Sequence, residues 1–152
     1  MPSQQGKSVV YPLIISIFLL AAGLMLPASF TLSNSVEQQK LKGVAANYCV
    51  YREAVAAYLK DNAIVGNIPA GDLPLPPGYV ALGNWQARVV GDYCYVFGTA
   101  PSHEVFYQVR RILKNSVLTG ENRNGVIFPS GIELPAGNGI PNGVIISLVS
   151  VQ

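Results

Sequence analysis

The chain's single histidine, His103, stands between Ser102 and Glu104. These are the residue types of a nucleophile, base and carboxylate relay. Adjacent residues of a helix point in different directions, so the three cannot pass a proton among themselves. Pro101 and Ser102 read as a helix opening, which puts His103 in an exposed first turn as a solvated side chain. Cys49 and Cys94 are the only thiols. Neither has a base beside it in sequence, and a nucleophilic cysteine needs its thiolate stabilised. Asp61, Asp72 and Asp92 each fall at turn or cap positions, where aspartate usually serves the backbone. There is no CxxC pair, phosphate loop, dinucleotide fingerprint or metal-ligand spacing. The expectation is no catalytic, cofactor-binding or metal-binding residue, and no enzymatic activity.

The elements that would position these residues begin with a gap in the charges. No charged residue lies between Lys7 and Glu37. Val9 to Ala28 is almost wholly apolar, and twenty residues of helix span about 30 Å, the depth of a bilayer's hydrocarbon core. A cleavable signal peptide is the competing reading. Its apolar region is usually shorter, and Leu26-Pro27-Ala28 is a poor cleavage site, so an uncleaved anchor is expected. The short N-terminal flank favours export of the rest. That gives a single-pass protein of the bacterial inner membrane with a periplasmic C-terminal domain. In that compartment Cys49 and Cys94 are expected to form a disulfide, the alternative being two buried free thiols. The net charge of +2, with scattered basic residues, argues against a nucleic-acid partner.

The chain reads as four stretches: a membrane anchor over 1–30, a stalk helix over 31–62, a Pro-rich linker over 63–79, and an α+β domain over 80–152. Ser35 with Gln38 fits a capping box that would start the stalk. Leu41, Val44, Tyr48, Tyr51, Val55 and Tyr58 repeat at 3-4-3-4-3 spacing and form one apolar stripe. Four prolines and three glycines between Asn62 and Tyr79 suit a stiff extended spacer. Trp85–Val90 and Tyr93–Phe97 form a hairpin around Gly91-Asp92. A helix follows to about Leu113, then short strands at Ser116–Thr119 and Val126–Phe128. A loop covers 129–143, and a last strand runs from Val144 to Val151. The expected unit is a small antiparallel sheet with one helix packed on one face. The last strand could be an exposed edge, but an interior place is expected.

Tyrosine is the unusual enrichment, at eight residues. Most of these, with Trp85, fall in the stripe and the first hairpin. Large aromatics there suit a core, and they suit a protein-contact surface equally. Leu41, Val44, Tyr48, Tyr51, Val55, Tyr58 and Trp85 are the candidate interaction residues.

One resemblance covers most of the chain. It starts at Gly83-Asn84-Trp85 and continues QARVVGDYCYVFGTAPSHEVFYQVRRIL, then TGENRNGVIFPS and a closing IPNGVIISLV. These stretches resemble the PilM family of thin, type IVb pilus systems of conjugative plasmids. The resemblance implies a small, non-enzymatic, membrane-anchored component of pilus biogenesis. Its implied partners are other pilus assembly proteins or pilins, with homo-oligomers possible, and it implies no cofactor. It does not imply the actin-like ATPase that shares the name in other systems, which needs phosphate-binding loops absent here. The alternative is a minor pilin-like subunit that enters the filament. Such subunits carry a Gly before the cleavage site and a Glu five residues on; here Gly6 is followed by Lys7, and Tyr11 occupies that place.

Overall fold

The computed structural model describes the backbone of residues 10–151 and the side chains of residues 35–151. The expected anchor, Val9–Ala28, lies outside the described side chains. Among the described residues, no helix is long and apolar enough to cross a membrane. The chain divides into two compact units, Met1–Gln39 and Lys40–Gln152. The second holds the sheet.

Helix α1 spans Val10–Asp61. Ser35 and Gln38 therefore lie inside it and do not start a helix. A capping box contributes only about 1 kcal/mol, which continued helical bonding easily outweighs. From Lys40 onward α1 belongs to the sheet unit, so the stretch expected as a separate stalk is divided. Leu41, Ala45, Tyr48, Tyr51, Val55 and Leu59 are buried on the sheet, while Val44 and Tyr58 are only half-buried. The buried face is thus turned slightly from the expected stripe. Ala45, with no exposed surface, lets the helix backbone come close to the strands.

Among the described residues the sheet has seven strands: β1 (Gly66–Ile68), β2 (Asn84–Val90), β3 (Tyr93–Thr99), β4 (Thr119–Arg123), β5 (Val126–Phe128), β6 (Ile132–Glu133) and β7 (Ile145–Ser150). Their order is β1-β2-β3-β7-β4-β5-β6, and every neighbouring pair is antiparallel. Helix α2 (Glu104–Ile112) joins β3 to β4. The last strand slots between them, as an interior strand. The α+β class, the first hairpin and the final strand follow the sequence reading. Three features differ. The stretch expected as spacer supplies β1 and a 3-10 turn (Ala70–Asp72), and it buries Ile68 and Leu73 in the core. Strand β4 begins where the expected Ser116–Thr119 strand ends. The 129–143 loop contains β6.

Both faces of the sheet are covered. On one, α1 and α2 bury Trp85, Ala87, Val89, Cys94, Val96, Ile145 and Val149. On the other, Tyr95, Phe97, Ile146 and Leu148 pack under Leu134 and Ile140 of the long loop. The buried side chain of Asn122 holds that loop down, donating to the carbonyls of Ile140 (3.1 Å) and Pro141 (2.8 Å). Arg88 Nη1 adds a bond of 2.6 Å to the carbonyl of Asn138. A glycine- and proline-rich loop therefore acts as the lid of a second core. The two edge strands, β1 and β6, have only three and two residues, and short edges resist unwanted pairing.

Candidate functional site

Three further polar clusters stand out in this domain. The first lies under α1. The fully buried Tyr48 hydroxyl donates to the carbonyl of Val96 at 2.9 Å. It also lies 2.9 Å from Ser147 Oγ, which in turn lies 2.9 Å from Thr119 Oγ1. Three hydroxyl protons and one carbonyl suffice to satisfy this run, so it joins α1, β3, β7 and β4 without an orphaned group. Burial pushes the Tyr48 phenol far above the usual tyrosine range, so it stays a neutral donor. The only sequence signal for this run is Ser147, a polar residue inside the apolar strand VIISLVSV.

Asn47, on the flank of the same helix, forms the second. Its Oδ1 accepts from Trp85 Nε1 (2.8 Å) and from the Leu82 amide (2.9 Å). Its Nδ2 donates to the Val80 carbonyl at 2.9 Å. The Tyr79 hydroxyl sits 3.1 Å from both Oδ1 and the Asn47 carbonyl. One amide thus ties the end of the Pro-rich segment and strand β2 to α1. Nothing in the sequence around Asn47 announces this, because its partners are more than thirty residues away. Asn47→Ala is expected to cost about 2 kcal/mol, two or three net hydrogen bonds at a half-buried site. Asn47→Asp should lose less, because it keeps the acceptor. Thermal unfolding of the full-length protein in detergent checks both; equal losses would contradict the assignment.

The third place holds His103. A cavity of about 110 Å³ is lined by Ala100, Ser102, His103, Phe106, Glu121 and Ile145. The fold does bring a carboxylate to the histidine, but it is Glu121 on β4 and not Glu104. His103 Nδ1 lies 3.7 Å from Glu121 Oε1, beyond hydrogen-bond reach. Glu121 is held instead by Arg123, with Nε at 2.9 Å and Nη2 at 2.8 Å from Oε2. The Arg123 guanidinium lies 3.9 Å from the centroid of the Phe128 ring. Ser102 Oγ accepts the Glu104 amide at 3.2 Å, as a turn-stabilising group at the helix entry. Ser102, His103 and Glu121 are therefore neighbours without being a proton relay.

The two thiols lie in the helix-side core as free cysteines, and the expected disulfide is not formed. The phase of α1 is the reason. Tyr48 and Tyr51 occupy the sheet-facing positions near Cys94, whereas Cys49 is turned sideways toward Pro74 and Pro76. Burial pushes the Cys49 thiol up to about 11, partly opposed by Arg52. Burial likewise pushes Cys94 up to about 12, partly opposed by a backbone hydrogen bond. Both pKa values are raised on folding, so their stabilising contribution is complete below the unfolded thiol's pKa. It is lost as pH climbs from there toward about 11 to 12. Native protein at pH 8 is expected to alkylate far more slowly than unfolded protein, with Cys94 slowest. Mass spectrometry after iodoacetamide treatment checks this; rapid labelling of Cys94 in the native state would contradict it.

The candidate contact residues are likewise turned inward. Leu41, Tyr48, Tyr51, Val55 and Trp85 are buried, and Val44 and Tyr58 are half-buried. The stripe is spent on the domain's own core and is not a free surface. What α1 leaves open is its other side, where Val50, Glu53, Ala54 and Ala57 with Pro74 and Pro76 line a groove of about 410 Å³.

The PilM family model matches residues 15–148. The chain belongs to the PilM family. Among solved structures, it resembles a provisionally assigned PilM protein from Escherichia coli B7A. The two are 21% identical, and the match covers 74% of this chain and 94% of that one with a TM-score of 0.54. At that identity the likeness speaks for a common PilM fold. Among curated proteins none matches.

Proposed function

We propose that this PilM-family chain is a non-enzymatic component of thin, type IV pilus assembly. It is held in the inner membrane by Val9–Ala28 and acts in the periplasm through contacts with other pilus assembly proteins or pilins. The observation that carries this reading is the family match, which extends over nearly the whole chain. The interior supports it. The buried hydroxyls join strands to α1, Asn47 ties down the Pro-rich segment, and the Ser102–His103–Glu121 cluster lacks the spacing of a relay. The residues left for function are then surface residues, and surfaces act by binding.

A minor pilin-like subunit is the second reading. The packing of one face of α1, from Leu41 to Leu59, on an antiparallel sheet favours it, because a helix seated on a small sheet is also a layout for packing into a filament. Against it stands Tyr11 at the position where a processed pilin carries Glu. Deletion of the gene is expected to abolish pili, and the full-length chain should restore them. A version with residues 1–30 replaced by a cleavable signal peptide should be exported yet fail to restore them. Full restoration by that version would overturn the anchored reading.

A further inference from the structure

We propose that the groove on α1 receives the α2–β4 corner of a second copy of this chain. The corner comes first. After α2, Lys114 and Asn115 both take left-handed backbone conformations, with φ of 51° and 56°, and reverse the chain sharply. The turn leaves Ile112, Val117 and Leu118 outside, at 45%, 66% and 40% exposure. Arg111 and Lys114 are exposed beside them. No carboxylate occurs in sequence between Glu104 and Glu121. Among the described residues neither cation takes part in an ion pair. The corner is thus an apolar knob with two uncommitted positive charges.

The groove has the opposite character. Its walls are Val50, Ala54, Ala57, Pro74 and Pro76, and Glu53 sits at its rim. Val50 is itself exposed. Glu53 is two-thirds exposed and, among the described residues, its ion-pair partner is its neighbour Arg52, at 2.7 Å. An exposed pair of this kind contributes little, so the carboxylate can exchange partners at small cost. Asp72, two residues before the groove-lining Pro74 in sequence, is exposed and carries a second negative charge. Two cations with an apolar knob on one surface complement two carboxylates with an apolar cleft on another. The surfaces share no residue, so the contact is head-to-tail and can propagate from copy to copy. This inference does not depend on the pilus role; it concerns what the domain does with its own kind.

Charge reversal tests it on the full-length protein in detergent, read as mass by analytical ultracentrifugation. The wild type is expected to self-associate, more strongly at low salt. R111E/K114E should weaken association at least about tenfold, equivalent to about 1.4 kcal/mol. E53K/D72K should do the same. An equimolar mixture of the two variants should associate again, because each knob then meets a groove of opposite sign. That recovery also excludes misfolding as the cause of the losses. A monomeric wild type, reversals without effect, or a mixture that stays monomeric would each overturn the proposal. Binding of the wild type to anionic vesicles through Arg111 and Lys114, without self-association, would assign the corner to lipid and overturn it too.

Discussion

Tyr48→Ala is expected to remove about 3–5 kcal/mol of stability, the range for deleting a buried aromatic ring. The cost has two sources. The ring is fully buried and meets Trp85 edge-on, with centroids 5.1 Å apart and planes at 74°. Its hydroxyl satisfies the Val96 carbonyl and closes the Ser147–Thr119 run. Tyr48→Phe separates the two: it keeps the ring and leaves buried acceptors short of a donor, at about 1–3 kcal/mol. A domain of this size has only about 5–15 kcal/mol in total, so the alanine variant should also lose cellular abundance and pili with it. His103→Ala, at a half-exposed side chain, should change neither appreciably. Chemical denaturation of both Tyr48 variants decides the matter. A loss below about 1 kcal/mol for the alanine would mean that the helix face is not the core described.

The second large effect is expected at Trp85. Its ring is buried, lies against Tyr48, and donates its indole N–H to Asn47. It also covers Gly83 and its cross-strand partner Gly98, where an added methyl group would meet the indole; at Gly98 it would also meet the Asn84 carbonyl. Glycine at position 98 is therefore the space into which the ring fits. Trp85→Ala is expected to cost about 3–5 kcal/mol, leaving a cavity between α1 and the β2–β3 hairpin. Because Trp85 and Tyr48 touch, the double alanine variant should cost less than the sum of the two. Strict additivity in denaturant unfolding would show that the rings act independently and contradict the packing.

Particular residues explain what was readable from the sequence. The hairpin is legible because Gly91-Asp92 is a turn signal between two apolar runs, and Gly91 takes the positive φ of 62° that the two-residue turn uses. The helix stripe was visible in its period, but its phase was decided by Ala45 and Leu59, whose burial depends on the approach of the sheet. Strand β4, TGENR, has little strand propensity. Its place comes from pairing with β7 and from the buried Asn122, both distant in sequence. The Pro-rich segment read as spacer because prolines break regular structure. Ile68 and Leu73 nonetheless carry it into the core.

The candidate site was less legible. Period alone could not separate a core stripe from a contact stripe, and here burial assigns the stripe to the core. Compartment and count suggest cysteine pairing, but neither fixes side-chain direction. Rotation by one residue along α1 was enough to send Cys49 toward Pro74 and Pro76. Asn47 and Glu121 gain their partners only through tertiary contacts, so their roles could not be read along the chain.

The central claim is that the chain works from the membrane and does not enter the filament. The most direct test is to tag its C-terminus, shear pili from cells, and follow both the location and the length of the protein. Full-length protein retained in the inner-membrane fraction, with sheared pili free of it, is the predicted result. Shortened protein within the sheared filaments would contradict it and make the chain a pilin-like subunit.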